Sequence, residues 1–493
     1  MVTKVKNKFY ITTPIYYVND QPHIGHAYTT IVADVLARYY RQKIGKENVY
    51  FLTGTDEHGA KVAESAALKN ISPQKFTDQI SQQFKDAWQN LAITNDDFIR
   101  TTESRHQKIV VNILNKLKAV KTPAGNEVLY ETDYEGLYCV GCEKFILESE
   151  LVDGKCPDHN KEPEQVKEKN WFFKLADYLS IIQQKIESDE LTIYPKARKN
   201  EVLGLIKQGI PDFSISRSKK SVPWGIDLLW DKNQKAYVWV DALSNYITAL
   251  DYPKGKLYQK FWPADIQLMA VDILKFHTLY WPAILLALDI PLPKILAIHG
   301  FFTINGQKMS KSLGNVVHPD ELVKEYGAEV TKYLILSQFS FGSESDIKVE
   351  EFPNKYNADL VNGLGNLVNR ITKMVEEYLK GKIKIDDLEN ISLKIGTEEM
   401  IEQLNFKEAL FKIWARIQDC DTAIDQDKPW ILAKSKNIKD QEKLKSVLGK
   451  YIKDLYIISI NLKPFMSETA AKILKIITAS KIKKPATPLF PRK

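Results

Sequence analysis

The sequence predicts an α/β protein in which a parallel sheet is built in two halves around an inserted domain, with an all-α domain after it. Short apolar runs alternate with helix-like segments over residues 1–120 and again over 235–318, which is typical of a parallel sheet. The intervening residues 121–234 are rich in Glu, Lys, Gly and Tyr and contain clustered cysteines. Amphipathic helical patterns then continue to about Ile477, which indicates a helix bundle.

In the first half, β-branched and aromatic residues dominate the apolar runs, and such residues favour strands. Between the first two runs, apolar residues recur at helical spacing at Ile31, Val35 and Tyr39, which predicts a helix. The strands are predicted at Lys8–Tyr17, Asn48–Thr53 and Asp97–Arg100.

In the second half, the same reasoning predicts strands at Ala236–Val240, Ile266–Ala270 and Lys294–Ile298 and a long helix at Asp272–Leu288. Residues 319–355 are predicted to be linking helices, and 356–493 a helical domain. Within it, Lys481–Lys493 has three prolines and five basic residues, and we expect an ordered strap or a frayed tail.

Length and composition indicate a soluble globular protein of several domains. The chain has 493 residues, of which 44% are hydrophobic and 27% charged, so it lacks the bias of disordered sequences. The longest apolar stretches, such as Ala283–Leu288, fall far short of the roughly 20 residues that span a bilayer. Residues 1–8 are too short and polar for a signal peptide. We therefore expect no membrane association and a cytoplasmic location.

The positive charge is concentrated near the C-terminus. The net charge is +7, and from Lys428 onward 16 Lys or Arg stand against 4 Asp or Glu. A basic face of this kind suits a polyanion. A solvated helix surface rich in lysine would give the same count, so charge alone leaves both interpretations open.

The segment Pro22-His23-Ile24-Gly25-His26 lies between the first predicted strand and the first helix. A phosphate at this position would meet unpaired N–H groups and the positive end of the helix dipole. His23 and His26 add movable donors, and Gly25 permits close approach. The alternative is a helix start that happens to carry two solvated histidines.

A second basic motif, Lys308-Met309-Ser310-Lys311-Ser312, follows the turn signal Asn305-Gly306. Two lysines and two serines on a loop can close over a triphosphate and neutralise its β- and γ-phosphates. A lone pair of lysines would be a weak signal, since most are simply solvated.

The inserted domain carries a metal-ligand pattern. Cys139-x2-Cys142 is followed after thirteen residues by Cys156-x2-His159, which supplies four ligands suited to tetrahedral zinc. Four filled positions favour a structural site over a catalytic one. Chance clustering of buried cysteines is the alternative. This use of cysteine also argues against a disulfide framework and for a reducing compartment.

Together, His-Ile-Gly-His and Lys-Met-Ser-Lys-Ser resemble the signatures of the class I aminoacyl-tRNA synthetases, which implies a split Rossmann-type catalytic domain. Further segments narrow the resemblance to the methionyl-tRNA synthetase family over residues 8–480. They are FYITTPIYYVNDQPHIGH, FLTGTDEHG, YVWVDALSNY, DILKFH and HGFFTINGQKMSKSLGN.

The resemblance implies activation of L-methionine with ATP and transfer to the 3′-terminal adenosine of tRNA(Met), in initiation and elongation. It implies Mg²⁺ with ATP and one structural Zn²⁺. It assigns His23, His26, Lys308 and Lys311 to catalysis. ATP is bound by these four residues with Gly25, Asp272, Ser310 and Ser312. The methionine site is assigned to Ile15, Tyr17, Asp56, Trp239, Ala242, Leu243, Tyr246, Ile273 and His277. Anticodon contacts are assigned to Asn366, Arg370 and Trp430.

The chemistry of these residues agrees with the assignments. A flexible thioether is well held by aromatic faces and small apolar groups, and a carboxylate such as Asp56 is the natural partner of an ammonium. A splayed base can stack on an indole while amide and guanidinium groups read its edges. Without the family, Trp239 and Trp430 would each be read as core residues.

The chain departs from the family at two places. Ala270-Val271 stand where Gly-Lys is usual ahead of Asp272, which adds a methyl group near the nucleotide. Asp421 and Ala423 replace an Asn and an aromatic residue upstream of Trp430. These changes bear on the ATP contacts and on the anticodon contacts respectively.

Two rival functions share part of this pattern. A cysteine-type class I synthetase would use zinc inside the pocket to bind a thiolate. The closed set of three cysteines and one histidine, together with Trp239, argues against this rival. An RNA-binding paralogue without catalysis would be expected to have lost a signature histidine or lysine, and all are present. The insertion of about 110 residues is too small for a separate editing domain, and its knuckle would shape acceptor-end entry. Residues 319–355 would contact the tRNA stem. We expect a monomer.

Overall fold

The computed structural model describes residues 7–19, 21–139, 144–146, 148, 151–157, 160–309, 314–383 and 395–493. The chain divides into two compact units. The first contains the described residues of Met1–Gln89 and Ile93–Gly300, and the second those of Asn90–Ala92 and Phe301–Lys493.

The first unit mixes strands and helices along the chain. Its strands are β1 (Phe9–Tyr17), β2 (Val49–Asp56), β3 (Asp97–Arg100), β4 (Leu129–Cys139), β5 (Lys144–Ile146), β6 (Glu164–Phe173), β7 (Thr192–Tyr194), β8 (Phe213–Ser214), β9 (Ser216–Ser218), β10 (Asp227–Leu228), β11 (Asp231–Ala236), β12 (Ile266–Ala270) and β13 (Ile295–His299). Its helices are α1 (Ile24–Ile44), α2 (Ala60–Leu68), α3 (Pro73–Asn90), α4 (Ser104–Ala119), α5 (Leu179–Glu187), α6 (Lys196–Gln208), α7 (Val238–Leu243), α8 (Asn245–Thr248), α9 (Lys256–Phe261) and α10 (Trp281–Ala287).

The central sheet of this unit is parallel throughout, with the strand order β3-β2-β1-β12-β13-β7. β1 pairs with β2 on one side and with β12 on the other. The strand order therefore changes direction between β1 and β12. In open α/β sheets, ligands bind outside the carboxyl ends of the strands at such a switch point.

The apolar runs form these strands because helices and loops cover both faces of the sheet. Every residue of β2 is buried, as expected for a strand in a parallel sheet with two covered faces. Gly54 is required in β2, because a Cβ there would lie 2.0 Å from the Ile99 carbonyl oxygen of β3.

The region predicted as an insertion builds its own antiparallel sheets, with orders β5-β4-β6-β8 and β10-β11-β9. Exposed and less exposed residues alternate along β4, which is typical of an antiparallel strand with one solvated face. The region also supplies β7, which pairs in parallel with β13. This contribution to the central sheet is not predicted by the sequence pattern, because β7 has only three residues.

The second unit is mainly helical. It contains β14 (Phe302–Ile304), β15 (Gln307–Lys308) and β16 (Ser345–Ile347), and the helices α11 (Pro319–Tyr326), α12 (Ala328–Leu336), α13 (Phe352–Lys355), α14 (Asn366–Leu379), α15 (Thr397–Glu402), α16 (Phe406–Asp427), α17 (Pro429–Leu432), α18 (Ile438–Leu462) and α19 (Ser467–Ile477). The C-terminal segment is an ordered strap, since Ile482 and Phe490 are buried and the Tyr356 hydroxyl donates to the Pro491 carbonyl at 2.7 Å.

Three predictions about elements were wrong in detail. Ala236–Val240 is not a strand, because β11 ends at Ala236 and α7 begins at Val238; a short buried apolar run does not distinguish helix from strand. The helix expected over Asp272–Leu288 is divided into a 3₁₀ turn, a π-helical turn and α10, and Pro282 lacks the N–H that a regular helix needs.

The third difference lies in the helical unit, where strand signals were expected to be absent. β16 pairs in parallel with β14. With three residues, β16 is too short to show a periodic pattern in the sequence. The described residues contain no helix with both the length and the hydropathy that a membrane crossing requires.

Candidate active site

Two histidines at the start of α1 each accept a hydrogen bond from a backbone N–H group. His23 is the N-cap residue, and its Nδ1 accepts a hydrogen bond from the Gly25 N–H at 3.1 Å. The His26 Nδ1 accepts from the His23 N–H at 3.4 Å. The two rings stack with centroids 3.7 Å apart. The motif therefore begins the helix, as predicted, through a reciprocal capping box.

This arrangement determines where the protons lie. Each Nδ1 accepts a bond, so in the neutral ring each Nε2 carries hydrogen and can donate. Burial, with His23 as a neighbouring charge, holds the pKa of His26 well below its usual value. His26 is therefore a neutral donor at neutral pH. Neutral N–H donors beside a helix N-terminus suit a phosphate.

The carboxyl ends of β1 and β2 bring three predicted residues together. Tyr17 pairs in register with Asp56, and Ile15 pairs with Gly54. The Val18 N–H donates to the Asp56 carbonyl at 3.2 Å. The carboxylate proposed for an ammonium thus lies at the end of a buried strand, next to an aromatic side chain.

The turn after Asp56 is held by a buried ion pair. Glu57 is fully buried, and Arg100 on β3 donates to its two carboxylate oxygens at 2.7 and 2.9 Å. The Trp224 indole donates to the Glu57 carbonyl at 2.6 Å. A bidentate guanidinium pair of this kind is geometrically specific, so the turn has a defined orientation.

Aromatic residues from α7, α8 and the π-helical turn form one cluster. The Trp239 ring stacks on Phe276 at 3.8 Å with an angle of 4°. The edge of His277 lies against Trp239 at 6.4 Å, and Tyr246 lies 5.8 Å from His277. Trp239 is half-buried, as are Ile15 and Ile273 that pack on the same core, whereas Ala242 and Leu243 are buried.

His277 is neutral with an assigned tautomer. Its Nδ1 donates to the Ile273 carbonyl at 3.0 Å, because a carbonyl only accepts, and its Nε2 accepts from the Tyr246 hydroxyl at 2.7 Å. Burial lowers the pKa of His277 to about 4. The ring therefore adds an uncharged face to the cluster.

His299, at the end of β13, shows the same pattern. Its Nδ1 donates to the Gly300 carbonyl at 2.9 Å, and its Nε2 accepts from the Thr29 hydroxyl of α1 at 2.7 Å. Burial lowers its pKa to about 4. The residue ties the first turns of α1 to the carboxyl end of the sheet. His299 was not among the predicted site residues, although it is the first residue of the segment that contains the lysine motif.

The remaining predicted ATP contacts lie after β12 and in or after β15. Asp272 is exposed in the 3₁₀ turn directly after β12. Lys308 lies in β15 of the second unit. Ser310, Lys311 and Ser312 lie outside the described residues.

The hairpin that leads to the lysine motif has the predicted turn. Asn305 and Gly306 have φ of 52° and 75°, the left-handed conformation of a two-residue hairpin. Asp346 on β16 accepts from the Gly306 N–H and the Thr303 hydroxyl, each at 2.7 Å. These bonds hold the pKa of Asp346 below its usual value.

Two of the four predicted zinc ligands come together. Cys139 and Cys156 are buried in one small cluster with Ile146. The turn before Cys156 is tight, with reciprocal bonds of 3.0 Å between Val152 and Lys155. Cys142 and His159 lie outside the described residues. Within the described ranges, no group of three or more His, Cys, Asp or Glu side chains is arranged so that it could hold a metal ion.

In the second unit, the predicted anticodon residues lie on one surface. Asn366 is exposed one helical turn before Arg370 on α14. The Arg370 guanidinium lies 5.9 Å from the Trp430 ring centroid. It also donates to Asp421 at 3.0 Å and pairs with Asp425. Trp430 is half-buried rather than a core residue.

A buried group near the turn after β2 was missed by sequence analysis. His58 and His106 both bond the carboxylate of Asp241. His58 and Asp241 fall within segments that carried the family resemblance. His106 had no signal in the sequence, because it lies at an ordinary core position of α4.

Comparison with known proteins points to one family. The family described as "tRNA synthetases class I (M)" matches residues 9–165 and 158–372. Methionine–tRNA ligase of Clostridium acetobutylicum is 44% identical, covering 95% of this chain and 73% of the relative. Methionine–tRNA ligase of Rickettsia bellii is 41% identical, covering 95% and 92%.

Solved structures agree with the sequence matches. Mycobacterium tuberculosis methionyl-tRNA synthetase in complex with methionyl-adenylate superposes with a TM-score of 0.91 at 33% identity, covering 98% of this chain and 100% of that one. The free form of the same enzyme has a TM-score of 0.83 at 30% identity, covering 100% and 99%.

Proposed function

Since the chain belongs to the methionine family of class I tRNA synthetases, we propose that the carboxyl edge of its parallel sheet activates L-methionine with ATP. The activity is that of the methionine–tRNA ligases. The carboxylate of methionine attacks the α-phosphate in line, methionyl-adenylate and pyrophosphate form, and the 3′-terminal hydroxyl of tRNA(Met) then takes the methionyl group.

Methionine binds between the ends of β1 and β2 and the aromatic cluster. Asp56 holds the α-ammonium, because a carboxylate at the end of a buried strand pairs strongly with a cation. Ile15, Tyr17, Trp239 and His277 surround the thioether. Ala242, Leu243, Tyr246 and Ile273 complete the wall. A neutral His277 supports this assignment, since a charged ring would not favour an apolar side chain.

The histidine pair carries the proposal for ATP. Both rings cap α1 through Nδ1, so both Nε2–H groups can donate to phosphate oxygens, and His26 does so as a neutral ring. Gly25 allows the phosphate to approach the helix N-terminus, and Asp272 at the end of β12 holds the ribose. Catalysis is then positioning plus stabilisation of the charge that develops on the phosphates.

Lys308 and Lys311, with Ser310 and Ser312, stabilise the departing pyrophosphate. The hairpin supports this role, because Asp346 fixes its turn and Lys308, the first residue of the motif, lies on its second strand β15. Mg²⁺ bound with ATP would supply further charge neutralisation at the β- and γ-phosphates. No described residue is assigned to the magnesium ion.

A structural zinc ion fits the donor set of the insertion. Two buried cysteines in one cluster next to a tight turn are the expected surroundings of a knuckle. Cys139, Cys142, Cys156 and His159 would hold the ion, which would stabilise the local fold. The zinc knuckle would shape the entry of the tRNA acceptor end to the active site.

The surface of Asn366, Arg370 and Trp430 binds the anticodon of tRNA. Trp430 offers a half-exposed indole face for stacking, and Arg370 lies beside it to read a base edge. Asp421 and Asp425 already engage Arg370 and partly neutralise it. This favours contact with a base edge over contact with a phosphate. The basic C-terminal segment adds attraction for the RNA backbone.

ATP–pyrophosphate exchange with each of the twenty amino acids tests the proposal. Methionine alone should support exchange. Exchange with cysteine would establish the rival synthetase, and absence of exchange would establish a non-catalytic RNA-binding protein. The reduced-cysteine pattern supports a cytoplasmic location. We expect a monomer, which sedimentation would test.

A further inference from the structure

A carboxylate buried beside the proposed methionine site accepts hydrogen bonds from two histidines. Asp241 Oδ2 lies 2.6 Å from His58 Nδ1, and Oδ1 lies 2.8 Å from His106 Nε2. The three side chains are 1%, 3% and 0% exposed for Asp241, His58 and His106. Three buried titratable groups in contact are costly to maintain, and none of them has a role in the reaction described above.

The protons in this network can be placed from its partners. An ionised carboxylate only accepts, so His58 donates through Nδ1 and His106 through Nε2. The His106 Nδ1 lies 2.7 Å from the Thr248 hydroxyl. Burial alone raises the pKa of a carboxyl, but attraction to the histidines and their hydrogen bonds outweigh it and hold the pKa of Asp241 at about 2. Asp241 is therefore ionised at neutral pH.

The network joins the two walls of the methionine site. His58 lies two residues after Asp56, in the turn between β2 and α2. Asp241 lies on α7, two residues after Trp239 and directly before Ala242. His106 connects α7 to the end of α8 through Thr248. The α7 helix has only six residues, so its own hydrogen bonds cannot fix its position against β2.

We propose that His58, Asp241 and His106 are positioning residues that set the separation between the ammonium-binding carboxylate of Asp56 and the aromatic wall of α7, and so determine selectivity for the length of the amino-acid side chain. This rests on the proposed methionine site. None of the three residues is among those assigned to methionine or to ATP, and the network acts by holding both walls at one spacing.

Asparagine and glutamine substitutions give a matched test. The amide nitrogen of Asn occupies the position of a histidine Nδ1, and that of Gln the position of Nε2. His58→Asn therefore keeps its donor to Asp241 and His58→Gln loses it. At His106 the order is reversed, since His106→Gln keeps the donor and His106→Asn loses it. Packing alone gives no reason for this reversal.

Exchange is measured with methionine and with ethionine, which is one methylene longer. His58→Gln and His106→Asn should raise the methionine KM about 10-fold to 100-fold, the usual effect of losing a hydrogen bond to a buried charge. Their kcat and ATP KM should change less than about 3-fold. The ratio of kcat/KM for methionine to kcat/KM for ethionine should fall. His58→Asn and His106→Gln should remain within about 3-fold of the native protein in all four quantities.

Three results would overturn the proposal. One is equal behaviour of the Asn and Gln variants at both positions. Another is a fall in kcat at constant KM, which would make His58 a participant in the chemistry. The third is an unchanged methionine to ethionine ratio when KM rises. Thermal unfolding of all four variants identifies any that fail to fold. A native protein without methionine-dependent exchange would instead defeat the proposed function itself.

Discussion

Truncation of Trp430 separates the proposed anticodon surface from a core position. The indole is half-buried, and its ring lies 5.9 Å from the Arg370 guanidinium. Trp430→Ala should lower kcat/KM for tRNA charging, because the stacking surface for a base is lost. ATP–pyrophosphate exchange should remain near the native rate, since no tRNA takes part in that step.

The size of the effect follows from the exposure of the ring. Stacking of a base on an aromatic side chain contributes about 1 to 3 kcal/mol, which corresponds to a loss of roughly 5-fold to 200-fold in kcat/KM. A fully buried Trp costs about 3 to 5 kcal/mol of folding stability when truncated. Truncation of a half-buried ring costs less folding stability than this, so the melting temperature should fall only slightly.

Trp414 provides the matched control in the same unit. Its ring stacks on Tyr333 at 4.5 Å, and its indole N–H donates to the Asp359 carbonyl at 3.2 Å. Trp414 is half-buried like Trp430, but Trp414→Ala loses this stacking and this hydrogen bond and should therefore lower the melting temperature more than Trp430→Ala does. Exchange, charging and thermal unfolding are measured on one preparation of each variant. Parallel loss of exchange and charging in Trp430→Ala, or a melting temperature as low as that of Trp414→Ala, would contradict the anticodon assignment.

Three further predictions concern the lysine motif, the zinc site and pH. Lys311→Ala should lower the rate of adenylate formation by at least about 100-fold with a smaller rise in methionine KM; an unchanged single-turnover rate would remove this residue from the chemistry. Native protein should contain about one zinc atom per chain, and Cys139→Ala should lose it and reduce charging more than exchange; metal analysis that finds no zinc refutes the site, and equal loss of both activities refutes only its role at the acceptor end. As the pH falls from about 7.5 to about 5, the buried neutral His299 should lower the free energy of unfolding by roughly 2 kcal/mol. The unfolded side chain, with its pKa near 6.5, takes up a proton in this range, whereas the folded side chain, with a pKa of about 4, does not. Stability therefore falls as the pH drops through this window, and urea unfolding of His299→Asn should show a pH dependence smaller by that amount; an identical dependence in both proteins would mean that His299 is not held neutral.

The sequence alone determined the class of the protein and its reaction. The histidine and lysine motifs place unusual residue types at fixed spacing, in patterns that suit phosphate binding, and spacing of this kind is local information. The same holds for the turn at Asn305-Gly306, whose left-handed backbone both residues tolerate. The parallel sheet was likewise predicted, because strands covered on both faces need continuous apolar runs.

Tertiary structure decided how these local elements meet. Trp239 was read in a strand but lies on a short helix, since a buried apolar run carries no period that separates the two. The pairing of β7 with β13 and of β16 with β14 joins segments distant in the chain. β7 and β16 each have three residues, which is too short for a sequence pattern to predict either pairing.

The buried polar contacts show the same division. His106, Asp241 and His58 lie on three elements far apart in sequence, and only the packing of α4 and α7 around the end of β2 brings them within hydrogen-bond distance. The lowered pKa of His277 and of His299 follows from burial. Burial depends on the fold around a residue and not on the residue type. Motifs specify chemistry through neighbours in the chain, whereas positions and protonation states depend on neighbours in space.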